Sequence, residues 1–196
     1  MTIVYRKGDI ATDFGTDGNA MILQQCNCTA TKIKPNSFAY NLYCKLPYSN
    51  PYKERKSTLY YNNLAIIEHR PRPGSIKIMY SNNSLPIVCC LFAQYKMGLP
   101  NSKYYMNGKY TDKIYKNFPD DQQCRLEYFK ICLANIISLF NTNDLITKHI
   151  DKIIIPRKIG CYSAGGNWKQ YKNEIINFAK KLNPRKIPIY IIRYEN

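Results

Sequence analysis

The run Ile153-Ile154-Ile155-Pro156-Arg157-Lys158-Ile159-Gly160-Cys161-Tyr162-Ser163-Ala164-Gly165-Gly166-Asn167-Trp168-Lys169-Gln170-Tyr171 decides how the chain folds. Three consecutive β-branched isoleucines read as a strand covered on both faces. Pro156 ends that strand, because proline cannot donate to a ladder. Gly160, Gly165 and Gly166 permit tight backbone conformations and close approach by a ligand. Asn167 is placed to cap a helix whose apolar positions, Trp168, Tyr171, Ile175, Phe178 and Leu182, recur at helical spacing. Lys180 and Lys181 suit its negative end, and Asn183-Pro184 stops it. A glycine-rich turn feeding a helix presents unpaired N–H groups, which suits phosphate. An ordinary tight strand-to-helix connection is the alternative.

Working outward, Ile187 to Arg193 completes a strand–helix–strand unit whose crossover should be right-handed, so the class is α/β. Upstream, a helix opens at Asp120 or Asp121 and carries Leu126, Phe129, Leu133, Ile136 and Phe140 on one face. Ile87 to Tyr95 is an unbroken apolar run, and Ser75 to Tyr80 alternates as a strand with one wet face. Ala20 to Cys28 is a further strand, ending in Gln24, Gln25 and Asn27. Three amides there mark either a ligand-binding strand end or an edge strand meeting water. Thr2 to Arg6 is a short strand running into the turn Gly8-Asp9-Ile10, followed by a loop at 13–19. Ser37 to Leu46 reads as a helix, and Tyr60 to Glu68 as an extended segment. Residues at about 96–120 have no period; a loop of that length is usually functional or mobile. No linker divides residues 1–196, so one domain is expected.

The chain has 29 Lys+Arg against 13 Asp+Glu, a formal charge of +16. Such a balance favours polyanionic partners, including nucleic acid and ADP-ribose polymers. It also fits drift in a low-GC genome, because the abundant Ile, Lys, Asn and Tyr have A/T-rich codons, and no basic block is dense enough to form a tail. The eight cysteines contain no Cys-x-x-Cys pair, and neither His69 nor His149 lies near a cysteine pair, so no metal site is expected. Reduced, mostly buried thiols in a cytoplasmic protein are the expectation. No apolar leader core and no membrane-length apolar segment is present in the sequence.

Several of these pieces together resemble a macro domain, the ADP-ribose-binding module. Gly8-Asp9-Ile10 is similar to its early Gly-Asp-Ile turn, and Gln25-Cys26-Asn27-Cys28 to the strand end where the family carries an asparagine. Pro156 through Trp168 resembles the glycine loop of a microbial and viral branch that includes terminal ADP-ribose glycohydrolases and ADP-ribose 1″-phosphate phosphatases. The runs Lys45-Leu46-Pro47-Tyr48, Pro73-Gly74-Ser75-Ile76 and Leu91-Phe92-Ala93-Gln94-Tyr95, with Arg125 and Tyr128-Phe129, resemble the same branch. The resemblance implies a three-layer α/β/α sandwich around a mixed sheet, with ADP-ribose or a derivative bound along the strand ends and no cofactor.

It further implies that Asp9 accepts from the adenine amine beside the Ile10 N–H. The loop residues Ile159, Gly160, Cys161, Tyr162, Ser163, Ala164, Gly165 and Gly166 would cradle the pyrophosphate. Asn27 would meet the distal ribose, and Tyr194 would stack on adenine. Lys45 resembles the catalytic lysine of the glycohydrolase branch, but Ala164 stands where that branch has an aspartate, and Tyr162-Ser163 replaces its Gly-Leu pair. Asn27 and Asn167 remain to position a water, although an amide cannot serve as a general base. Two functions follow: hydrolysis of an ADP-ribose derivative, whether a terminal 1″-phosphate or ADP-ribosylated protein, and reading of ADP-ribose without turnover. Nucleic-acid binding on the same fold is a variant of the second.

Overall fold

The computed structural model describes residues 2–59, 61–81, 85–101, 117–142 and 147–194. Of the loop expected at about 96–120, residues 102–116 lie outside the described residues. Six strands form one mixed sheet: β1 (Ile3–Lys7), β2 (Ala20–Asn27), β3 (Ile76–Met79), β4 (Ile87–Gln94), β5 (Lys152–Pro156) and β6 (Ile189–Arg193). Their order is β1-β6-β5-β2-β4-β3. Every neighbouring pair is parallel except β3 with β4. Parallel strands are buried on both faces, and the sequence supplies this in β5: Ile153 and Ile155 face one layer while Ile154 faces the other.

The first layer holds α3 (Gln122–Asn141) and α4 (Trp168–Leu182). Phe129 of α3 and Tyr171 of α4 meet there, with ring centroids 4.6 Å apart. The second layer holds α1 (Ile10–Asp13) and α2 (Phe38–Lys45), packed through Ile10, Phe14, Leu42 and Leu46 against Ile22, Cys90, Phe92 and Ile154. The architecture is the expected α/β/α sandwich.

Capping explains where the helices begin. Ser37 accepts from Tyr40 N, and Asp121 accepts from Cys124 N, which settles the choice between Asp120 and Asp121. Asn167 Oδ1 accepts from Lys169 N at 3.0 Å, so the predicted cap of α4 is formed. Three expectations change. The turn at Gly8-Asp9-Ile10 opens a one-turn helix, capped by Asp9. Of residues 60–68, all but Tyr60 are described; they form turns and a short 3-10 helix, and their strand-like pairing is limited among the described residues to the isolated bridges Ala30–Leu64 and Ser57–Ala65. Finally, β2 lies inside the sheet between β5 and β4, so its amides do not mark an edge. Among the described residues no helix is long and apolar enough to cross a membrane, and no group of three or more metal-ligating side chains could hold an ion.

Candidate functional site

Because β1, β6, β5, β2 and β4 run parallel, their C-terminal ends open on one edge of the sheet. That edge carries the Gly8–Ile10 corner, the turn after Asn27, the segment from Tyr95 to Asn101, the glycine loop and Tyr194. In open α/β sheets ligands bind outside this edge.

The glycine loop has a defined shape. Lys158, Gly160 and Gly165 have φ of 62°, 70° and 67°. Three backbone hydrogen bonds close it: Ile159 N to Pro156 O, Cys161 N to Lys158 O, and Gly166 N to Gly160 O. By contrast, the N–H groups of Gly160, Tyr162, Ser163, Ala164 and Gly165 make no well-formed hydrogen bond among the described residues. Tyr162 is 88% exposed at the crest of the loop, whereas Ile159 and Ala164 are buried. A Cβ on Gly160 or Gly166 would strike the Tyr171 ring at 2.6 and 2.8 Å, and one on Gly165 would strike Pro100 Cδ at 2.6 Å. These glycines are therefore required by the loop's own packing. Burial pushes the Cys161 thiol up to about 12, so it stays protonated at neutral pH.

At the other end of the edge, Asp9 Oδ1 accepts from Ala11 N at 2.8 Å. Ile10 is the first residue of α1, and its N–H makes no well-formed hydrogen bond among the described residues. Gly8 N donates to Arg193 O, so half-exposed Tyr194 leaves β6 beside this corner. The structure therefore brings Asp9, Ile10 and Tyr194 to one corner, with the glycine loop two strands from Asp9 and one strand from Tyr194.

The three candidate catalytic residues are placed differently. Asn27 is buried, and its Oδ1 accepts from Thr29 N at 3.1 Å and Ala30 N at 2.6 Å, while Nδ2 donates to the Tyr52 hydroxyl at 3.3 Å. Arg55 locks the same turn by donating to the carbonyls of Asn27, Cys28 and Ala30. Asn167 is occupied as the cap of α4. Lys45 ends α2, exposed, in the layer of Leu42 and Leu46. Just beyond it, Tyr48 donates to Pro86 O, before the first residue of β4 and so at the opposite edge of the sheet. The structure does not bring Lys45 to the glycine loop, whose Ile159 packs in the α3/α4 layer.

Sequence reading missed the support beneath the loop. Arg125 is fully buried and paired with Asp120, also buried. Its Nη1 donates to Ala164 O at 2.8 Å and Gly98 O at 2.6 Å, and its Nη2 to the carbonyls of Lys96 and Leu99. Asp120 in turn accepts from Tyr95 N and Lys96 N. Gln122 Nε2 donates to Gly165 O at 2.7 Å. One signal was available: Arg125 falls on the i, i+4, i+8 row of Phe129 and Leu133, where a charge has no place without buried partners.

No protein-family model matches the chain, and no curated protein matches its sequence. Solved structures do. The macrodomain of Mycobacterium tuberculosis DarG superposes with a TM-score of 0.59 at 12% identity, covering 100% of this chain and 99% of that one. The macrodomain of Thermus aquaticus DarG gives 0.51 at 10% identity, covering 100% and 99%. The macro domain of ganglioside induced differentiation associated protein 2 gives 0.52 at 13% identity, covering 98% and 77%. This chain has the macrodomain fold.

Proposed function

We propose that this protein binds ADP-ribose along the C-terminal edge of its sheet and acts on an ADP-ribose derivative there. The observation that carries the reading is the set of loop N–H donors, at Gly160 and from Tyr162 to Gly165, left without well-formed partners around two left-handed glycines. Fixed N–H dipoles of this kind suit a diphosphate. Asp9 and Ile10, at the end of β1, lie two strand spacings from β5, about 10 Å, a span that an adenosine covers from base to phosphate, and Tyr194, after β6, lies between. Asp9 supplies an acceptor, the Ile10 N–H a donor and Tyr194 a face for adenine. The distal ribose then lies beyond the loop, toward β2 and the exposed Tyr162.

In hydrolysis of a terminal 1″-phosphate or of a protein-linked ADP-ribose, water would break the bond at the distal ribose, releasing ADP-ribose together with phosphate or the free protein side chain, while the loop donors hold the diphosphate in place. One observation favours the reader function instead: Asn27 and Asn167 are committed to internal hydrogen bonds and Lys45 stands elsewhere. Calorimetry with ADP-ribose tests the site, with affinity expected near micromolar, about −8 kcal/mol. Product analysis with ADP-ribose 1″-phosphate and ADP-ribosylated protein then separates hydrolase from reader. No ADP-ribose binding, with tight nucleic-acid binding at physiological salt, would replace the reading with the nucleic-acid one.

A further inference from the structure

The first turn of α3 grips the glycine loop through two consecutive carbonyls, Ala164 O held by Arg125 and Gly165 O held by Gln122. In a trans peptide the C=O and the following N–H point in opposite directions. Fixing Ala164 O therefore fixes where the Gly165 N–H points. Fixing Gly165 O likewise turns the Gly166 N–H onto Gly160 O, the bond that closes the loop. Arg125 does more than this, because the same guanidinium holds the carbonyls of Lys96, Gly98 and Leu99. Leu99 and Pro100 in turn abut Gly165. A planar group with five N–H donors is the only side chain that can satisfy a carboxylate and carbonyls from two loops at once.

We propose that Arg125, backed by Asp120 and assisted by Gln122, is the positioning residue of the anion-binding loop. It touches no ligand and acts by holding the loops after β4 and β5 in one register. This rests on the reading of the loop as the diphosphate site. The mechanism is preorganisation: donors already aimed at the anion need no ordering when it binds.

Two variants and two readouts test it. Arg125→Lys keeps a cation for Asp120 but cannot also reach the carbonyls, and Gln122→Ala removes only a bond made at the surface. Amide hydrogen exchange at Cys161 and Gly166, two of the three hydrogen-bonded amides of the loop, reads its rigidity without any ligand. Exchange there is expected to quicken at least roughly tenfold in both variants, and ADP-ribose affinity to fall by about tenfold. Gln122→Ala should do this with an unchanged melting temperature, which keeps the test open if Arg125→Lys does not fold. Unaltered exchange and affinity in Gln122→Ala, and in Arg125→Lys where it folds, would overturn the proposal. Quickened exchange in a protein whose native form binds no ADP-ribose would uphold the positioning role and remove the functional reading instead.

Discussion

Gly160 lies over the side chain of Gln25 so closely that a Cβ at position 160 would stand 2.2 Å from Gln25 Oε1. Gln25 itself is fixed, donating through Nε2 to Gln94 Oε1 at 3.0 Å, and Gln94 donates on to Lys96 O. The floor of the glycine loop is thus an amide chain linking β2, β4 and the segment after β4. Gly160→Ala meets this floor and also a φ of +70°. We expect a loss of about 1–3 kcal/mol from the backbone conformation and displaced amide. That is a fall in melting temperature of roughly 2–4 °C per kcal/mol for a chain of this size. Calorimetric melting checks it, and an unchanged melting point would show that the loop rearranges freely.

Asp9 has two separable jobs. Its Oδ1 caps α1, and its carboxylate is the proposed acceptor for adenine. Asp9→Ala removes both and should cost about 1 kcal/mol of stability from the lost cap. Asp9→Asn keeps a capping oxygen, so it should melt like the native protein yet bind ADP-ribose several-fold more weakly, since hydrogen bonds to a charged acceptor are the stronger kind. Native affinity in Asp9→Asn would take the carboxylate out of the site.

The Cys161 thiol is raised from an ordinary 9.0 to about 12, chiefly by burial, with Lys158 opposing. The sign follows from the neutral form being favoured in the fold. Its contribution to stability is complete below pH ~9 and is lost as pH rises toward about 12. Alkylation at pH 8, followed by peptide mapping, should label the exposed Cys44 well before Cys161. Faster labelling of Cys161 would mark it as an activated thiol and reopen covalent chemistry in the loop.

What the sequence made legible was contiguous. The β5 isoleucines, the glycine loop, the Asn167 cap and the apolar stripe of α4 lie within one stretch, so local rules find them together. The one-turn α1 has no periodicity to read and depends on the capping carboxylates of Asp9, which accepts from Ala11 N, and Asp13, which accepts from Asp9 N. Asn27 looked available because its competitor, the Tyr52 hydroxyl, lies 25 residues away. Arg125 reaches Ala164 across 39 residues, and only the packing of α3 against the sheet makes them neighbours. Lys45 was matched by motif, but its layer is decided by Leu42 and Leu46, whose burial no local pattern assigns to one face of the sheet or the other.

That layer assignment bears directly on catalysis. The sequence alone suggests that Ala164→Asp would restore the carboxylate of the glycohydrolase branch and raise turnover. The structure argues otherwise on two counts. Ala164 is 6% exposed, with its own carbonyl already held by Arg125, so a carboxylate built there would be buried beside a guanidinium whose donors are taken. A buried group without its hydrogen bonds costs about 1–3 kcal/mol, and more when charged. Lys45, the partner such an aspartate would need, ends α2 in the opposite layer. Ala164→Asp is therefore expected to melt several degrees lower and to leave any release of glutamate-linked ADP-ribose no faster than native. Loss of the loop carbonyl's register should also weaken ADP-ribose binding. Turnover that rises in Ala164→Asp and vanishes again in the Lys45→Ala double variant would show that Lys45 reaches the distal ribose after all.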